Sequence, residues 1–173
     1  LIKKTPSNDE IHDFIEALYN CAQFSPECCI LCLIYINRII ALTGISLQPT
    51  NWRPMILVSL MISQKVWDDK YLSNADFAYI YPFFDSQQLN VLEIKFLEMI
   101  QYNVFVKGSL YFKYYLELKS VYPEDITMKA MDIFTMNKLE NQSRNYEEII
   151  KKNSRSSEGH SKNSGELTKI IIN

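Results

Sequence analysis

From Cys28 to Leu42 the chain is apolar on nearly every helical face, broken only by Asn37 and Arg38. A helix of that kind is surrounded by others rather than lying on a surface. Ser25-Pro26-Glu27 ahead of it reads as N-cap, first-turn proline and first-turn acid, and Gly44 behind it suits a helix stop. This stretch is therefore expected to be the central helix. In front of it Ile11, Phe14, Ile15 and Leu18 form a stripe at helical spacing, predicting a helix over 8–20 with Ser7 or Asn8 as cap. Behind it Thr50 is placed to cap a helix over 51–67, in which Pro54 falls in the tolerant first turn. Ser59 and Ser63 give that helix one small face for close packing.

The same punctuation continues. An element begins at Ser73 or Asn74 and ends at Tyr81, before Pro82. Asp85 or Ser86 caps a helix over 87–101 with the stripe Leu89, Leu92, Phe96, Met99 and Ile100. Gly108 and Ser109 open another over 110–120, rich in tyrosine. The prediction is an all-α fold: one helix in front of a unit of five. Beyond Pro123 a further helix over 126–152 would rest on Ile133, Phe134, Leu139, Tyr146 and Ile149. Segment 153–166 is polar and serine-rich, a mobile tail by composition, and the β-branched run Leu167–Ile172 has no account in the pattern. The expected organisation is 1–22 as an N-terminal segment, 23–122 as the helical domain, 123–152 as an extension and 153–173 as the tail.

Composition narrows the function. The 173 residues are 47 % hydrophobic and 13 % aromatic, enough for a core. Four scattered glycines are too few for a phosphate-cradling loop. A net charge of −2 with interspersed signs gives no basic footprint for nucleic acid. Arg38 interrupts the longest apolar run, so no segment suits insertion into a bilayer. The chain begins at Leu1 rather than methionine, which leaves any upstream targeting or lipid signal open. Cys21, Cys28, Cys29 and Cys32 crowd one helical segment far from either histidine, so reduced core thiols are expected, with neither metal nor cofactor. No Ser/His/Asp or Cys/His constellation forms at plausible spacing, so no enzyme is expected.

Two charges stand against this apolar background. Lys65 follows Met61 and Ile62 at helical spacing, and Glu93 shares a face with Leu89, Phe96 and Leu97. A charge on an apolar surface is costly unless it is paired. Residue types alone favour a local answer: Lys65 with Asp68 or Asp69 at i+3 and i+4, and Glu93 with a solvent-side lysine or merely snorkelling to water.

The run Cys32–Ile40 resembles the tyrosine-isoleucine-acid-arginine pattern of the first cyclin-box helix. Asn51-Trp52-Arg53 and Ser63–Asp69 resemble the second helix of cyclin Y, Leu92–Val104 its fourth, and Lys113–Leu118 the start of its fifth. The likeness runs in order over residues 10–120 and is to the cyclin Y and P-type branch. It implies a regulatory subunit that binds a cyclin-dependent kinase, holding the kinase C-helix and activation segment in the active arrangement. It further implies that Lys65 and Glu93 lie together on the kinase-facing surface, amid Val66, Leu97, Tyr102 and Val104. Asp68 sits beside them, and Phe14 of the opening helix lies against the kinase. An intracellular protein is implied, cytoplasmic or nuclear, with membrane tethering left to upstream sequence. Three departures count. Asn37 replaces the usual acid, so an internal ion pair with arginine is not expected. The substrate-docking stripe of cell-cycle cyclins is absent, and nothing after Pro123 resembles a second box. The alternatives are a cyclin-fold adaptor with a non-kinase partner, or a transcription-factor-like module.

Overall fold

The computed structural model describes residues 4–121 and 131–157. These form seven helices: α1 (Asn8–Ala22), α2 (Glu27–Thr43), α3 (Trp52–Trp67), α4 (Asn74–Ile80), α5 (Ser86–Met99), α6 (Gly108–Val121) and α7 (Ile133–Ser157), with no strand among the described residues. The fold is all-α, as the pattern predicts.

Local chemistry sets most of the boundaries. Ser7 and Glu10, Ser73 and Asp76, and Asp85 and Gln88 each form a reciprocal capping box at the starts of α1, α4 and α5. Each box satisfies orphan amides that the first turn leaves over. Gly44 ends α2 at φ 73°, a left-handed conformation that glycine adopts without Cβ strain. Two expected caps are replaced. Pro26 rather than Ser25 stands at the α2 N-cap, with no side chain bonded to the first turn. The Ser25 amide instead donates to Asp68 Oδ2 at 3.1 Å, tying the start of α2 to the end of α3. At α3 the N-cap is Asn51, not Thr50. Its side chain braces the preceding loop, accepting from the Gln48 amide at 2.7 Å and donating to the Ser46 carbonyl at 3.2 Å.

The most enclosed helix is α3 rather than α2. Every residue of α3 except Arg53 and Lys65 is buried, whereas α2 leaves Cys29, Asn37, Ala41 and Leu42 exposed. α3 packs on α2, α5 and α7, which enclose it on several sides at once. The small face at Ser59 and Ser63 works as expected. Ser59 Oγ donates to the Cys32 carbonyl across the α2–α3 contact at 3.0 Å, so a buried hydroxyl is satisfied where the two backbones come close. Cys28 and Cys32 are buried, and burial pushes the Cys32 thiol up to about 12, consistent with unreactive core thiols. Cys21 and Cys29, expected in the core, are exposed.

α7 differs from the expected 126–152. It starts at Ile133, where Asp132 accepts from the Thr135 amide at 2.7 Å, and it continues through 153–157, which composition assigned to the tail. Ser154 and Ser156 donate to carbonyls of the preceding turn, so their hydroxyls are absorbed by the helix. Of the expected anchors, Leu139 is buried and Tyr146 half-buried, while Ile133, Phe134 and Ile149 face solvent. Ser143 and Ile150 take their place, giving the inward register 139, 143, 146, 150. Residues 126–130 of that expected helix, and 158–173 including Leu167–Ile172, lie outside the described residues.

Candidate functional site

α3 and α5 pack side by side, and α4 packs on α5. This brings together side chains far apart in sequence. Lys65 Nζ lies 2.6 Å from Glu93 Oε1 and donates to Asn74 Oδ1 at 2.8 Å. The Asn74 amide closes the ring, donating to Glu93 Oε2 at 2.7 Å and to Asn90 Oδ1 at 2.7 Å. Tyr146 of α7 adds its hydroxyl to Glu93 Oε1 at 3.4 Å. Burial first, and the adjacent Glu93 carboxylate second, push that phenol well above its usual range and keep it a neutral donor. Lys65 and Glu93 are each only 13 % exposed. Desolvating two charges this far is tolerable because each charged group has several polar partners.

The local answer for these charges therefore fails. Lys65 pairs across the fold with Glu93 and turns away from Asp68 and Asp69. Asp68 is used by Ser25 and by the Cys28 thiol, 3.8 Å from its Oδ2. Asp69 reaches α7, with Lys138 Nζ at 3.3 Å and Gln142 Nε2 at 3.3 Å. Among the described residues no solvent-side lysine pairs with Glu93, and its partners come from α3, α4 and α7.

The other residues singled out in the sequence lie mostly inside the fold. Val66, Leu97 and Val104 belong to the core, Val104 being fully buried. Tyr102 is half-buried. Phe14 is half-buried and packs edge-on against Trp52 at 5.4 Å and Tyr81 at 5.6 Å. An apolar contact surface made of Val66, Leu97 and Val104 is thus not open in this arrangement of the chain.

The segment after α5 is shaped with care. Gln101 and Tyr102 both take left-handed backbone, at φ 55° and 54°, strained for residues with a Cβ. The Tyr102 amide closes the turn locally, donating to the Leu97 carbonyl at 2.7 Å, and long-range bonds hold the residues that follow. Arg38 donates to the Asn103 and Phe105 carbonyls, and Tyr35 Oη donates to the Val104 carbonyl at 2.9 Å. Arg38 thus satisfies backbone carbonyls rather than an acid, and Asn37 Nδ2 bonds Tyr114 Oη at 3.1 Å. From the other side α7 offers acceptors to the amides that follow. Phe105 N donates to Glu147 Oε2 at 2.9 Å, Val106 N to Ser143 Oγ at 3.1 Å and Gly108 N to Glu140 Oε1 at 2.8 Å.

A model of the cyclin family matches residues 3–104, more than half of the chain. The chain belongs to the cyclin family. Membership carries a regulatory role exercised through a protein partner. The match ends where the strained turn gives way to α6, so Lys65, Asn74 and Glu93 lie inside it and the whole of α7 outside it.

Among the described residues the only metal-ligand grouping is the exposed trio His12, Asp13 and Glu16 on one helix turn, and the cysteines form none. No helix among the described residues is long and apolar enough to cross a membrane. Sequence reasoning missed Asn74, Asn90 and Tyr146. Asn74 follows a capping serine and reads as part of a helix start. Nothing in its neighbours shows that its amide faces a lysine and a glutamate from two other helices.

Proposed function

We propose that this cyclin, of the cyclin Y or P-type branch, binds a cyclin-dependent kinase inside the cell and activates it. In this reading Lys65 and Glu93 mark the kinase-facing surface. The observation that carries it is the 2.6 Å Lys65–Glu93 pair, assembled from α3 and α5 at the rim of the fold and fixed by Asn74. A preorganised pair of opposite charges held beside apolar core residues suits recognition of a helix backbone, because its geometry is set before the partner arrives. The cyclin supplies no catalytic group. A kinase needs its C-helix glutamate paired to the ATP-holding lysine and its activation segment ordered. A rigid surface that binds only that arrangement raises its population.

The test is recovery of partners from cell extract by the full chain and by a Lys65→Ala/Glu93→Ala double variant, with circular dichroism verifying that both are helical. Recovery of a cyclin-dependent kinase by the unmodified chain alone is expected. Equal recovery by a folded double variant, or recovery of other proteins and no kinase, overturns the reading and favours a cyclin-fold adaptor.

A further inference from the structure

α7 lies over the surface that the kinase reading assigns to the partner. Its Tyr146 bonds Glu93, its Glu147 and Ser143 take the amides of Phe105 and Val106, and its Lys138 and Gln142 hold Asp69. Its Leu139 and Ile150 are buried in the hydrophobic core, and the helix packs on α3 and α6. An amphipathic helix laid into an apolar groove, anchored at 139, 143, 146 and 150, is a standard mode of peptide recognition. Here the groove and the helix are parts of one chain. We propose that α7 is a built-in competitor for the kinase: docked, it occupies the Glu93 edge and the 104–106 segment, and a kinase binds when α7 gives way. This rests on the kinase-binding reading above.

The seat is built to hold but not to fuse. Of the large apolar side chains in α7 only Leu139 and Ile150 are buried, Met136 and Tyr146 are half-buried, and Ile133 and Phe134 are 78 % and 79 % exposed. Among the described residues Gln142 Oε1 is buried without a hydrogen-bond partner, which weakens docking. The Lys138–Asp69 bridge is mostly solvated and adds little. By contrast, α3 buries all but two of its residues. Of these two helices, α7 is the one that can leave without dismantling the core. If only the undocked form accepts a kinase, the apparent affinity falls by the fraction of chains that are undocked.

One contact allows α7 to be unseated selectively. A Cβ on Gly108 would stand 2.6 Å from Met136 Cβ and 3.0 Å from its Cγ, an approach no flexible side-chain tip can relieve. The experiment uses the full 173-residue chain as Gly108→Ala and as Leu139→Asp, each against a panel of purified cyclin-dependent kinase catalytic subunits. Hydrogen exchange over 133–157 reports release of α7. With α7 released, kinase affinity is expected to rise about tenfold or more. Faster exchange in α7 with unchanged or weaker kinase binding overturns the competitor while leaving the kinase reading standing. Should Gly108→Ala leave α7 protected, Leu139→Asp is judged by the same criteria. Binding of no kinase by any form overturns both.

Discussion

Tyr35 Oη donates to the carbonyl of Val104 at 2.9 Å, joining the middle of α2 to the exit of α5 across 69 residues of sequence. Both residues are fully buried, so this bond ties the segment just after the left-handed pair Gln101 and Tyr102 to the core. Tyr35→Phe leaves the ring volume and removes only the hydroxyl. Stability is expected to fall by about 1–3 kcal/mol, because a buried carbonyl loses its partner. Urea unfolding followed by circular dichroism measures it. A change below about 0.5 kcal/mol would mean that water or Arg38 replaces the bond.

The Lys65–Glu93 pair should be coupled within the free cyclin, before any partner binds. Lys65→Ala or Glu93→Ala alone strands the other charge at a site only 13 % exposed. Each single change is expected to cost about 1–3 kcal/mol, and the double change less than the sum. The coupling energy should be about 0.5–3 kcal/mol. A thermodynamic cycle from denaturant melts decides it. Strict additivity would show that the two charges act independently and that Asn74 carries the ring.

Docking of α7 should loosen in acid, through Glu147. Burial by itself would raise this carboxyl, but hydrogen bonds from Lys151 and from the Phe105 amide outweigh it and hold it below its ordinary value of 4.5. Arg38 lies near enough to be influenced by the same carboxylate, and Lys151 is its neighbour one turn along α7. For a group depressed in the folded state, the stabilisation is fully present above the ordinary value and is lost as pH falls through the folded one. Protection of the α7 amides against hydrogen exchange is therefore expected to be level above about pH 5 and to drop below about 4.5. In Glu147→Gln that step should disappear. A step that survives in the variant assigns it to another carboxyl.

Much of this fold is legible in the residues taken a few at a time. Ser7, Ser73 and Asp85 act through residues three positions away, so their capping boxes depend on nothing beyond one helical turn. Gly44 ends α2 through its own backbone freedom. Lys65 and Glu93 are conspicuous as charges among apolar neighbours, and resemblance to cyclins pairs them. Their exposure and their further partners are not legible in that way. Residue types point Lys65 towards Asp68 and Asp69, but helix packing gives those carboxylates to Ser25 and to α7.

What the sequence determined by itself was the set of helices and the class of the fold, because turn-scale hydrogen bonds and apolar periodicity are written in neighbouring residues. Tertiary structure alone decided which helix is most enclosed, that Asn74 bridges the charge pair, and that α7 lies across the 104–108 segment. Each of these depends on groups brought together from separate helices. A side chain such as Glu147, ordinary on its own helix, gains its role only when the Phe105 amide comes within 2.9 Å of it.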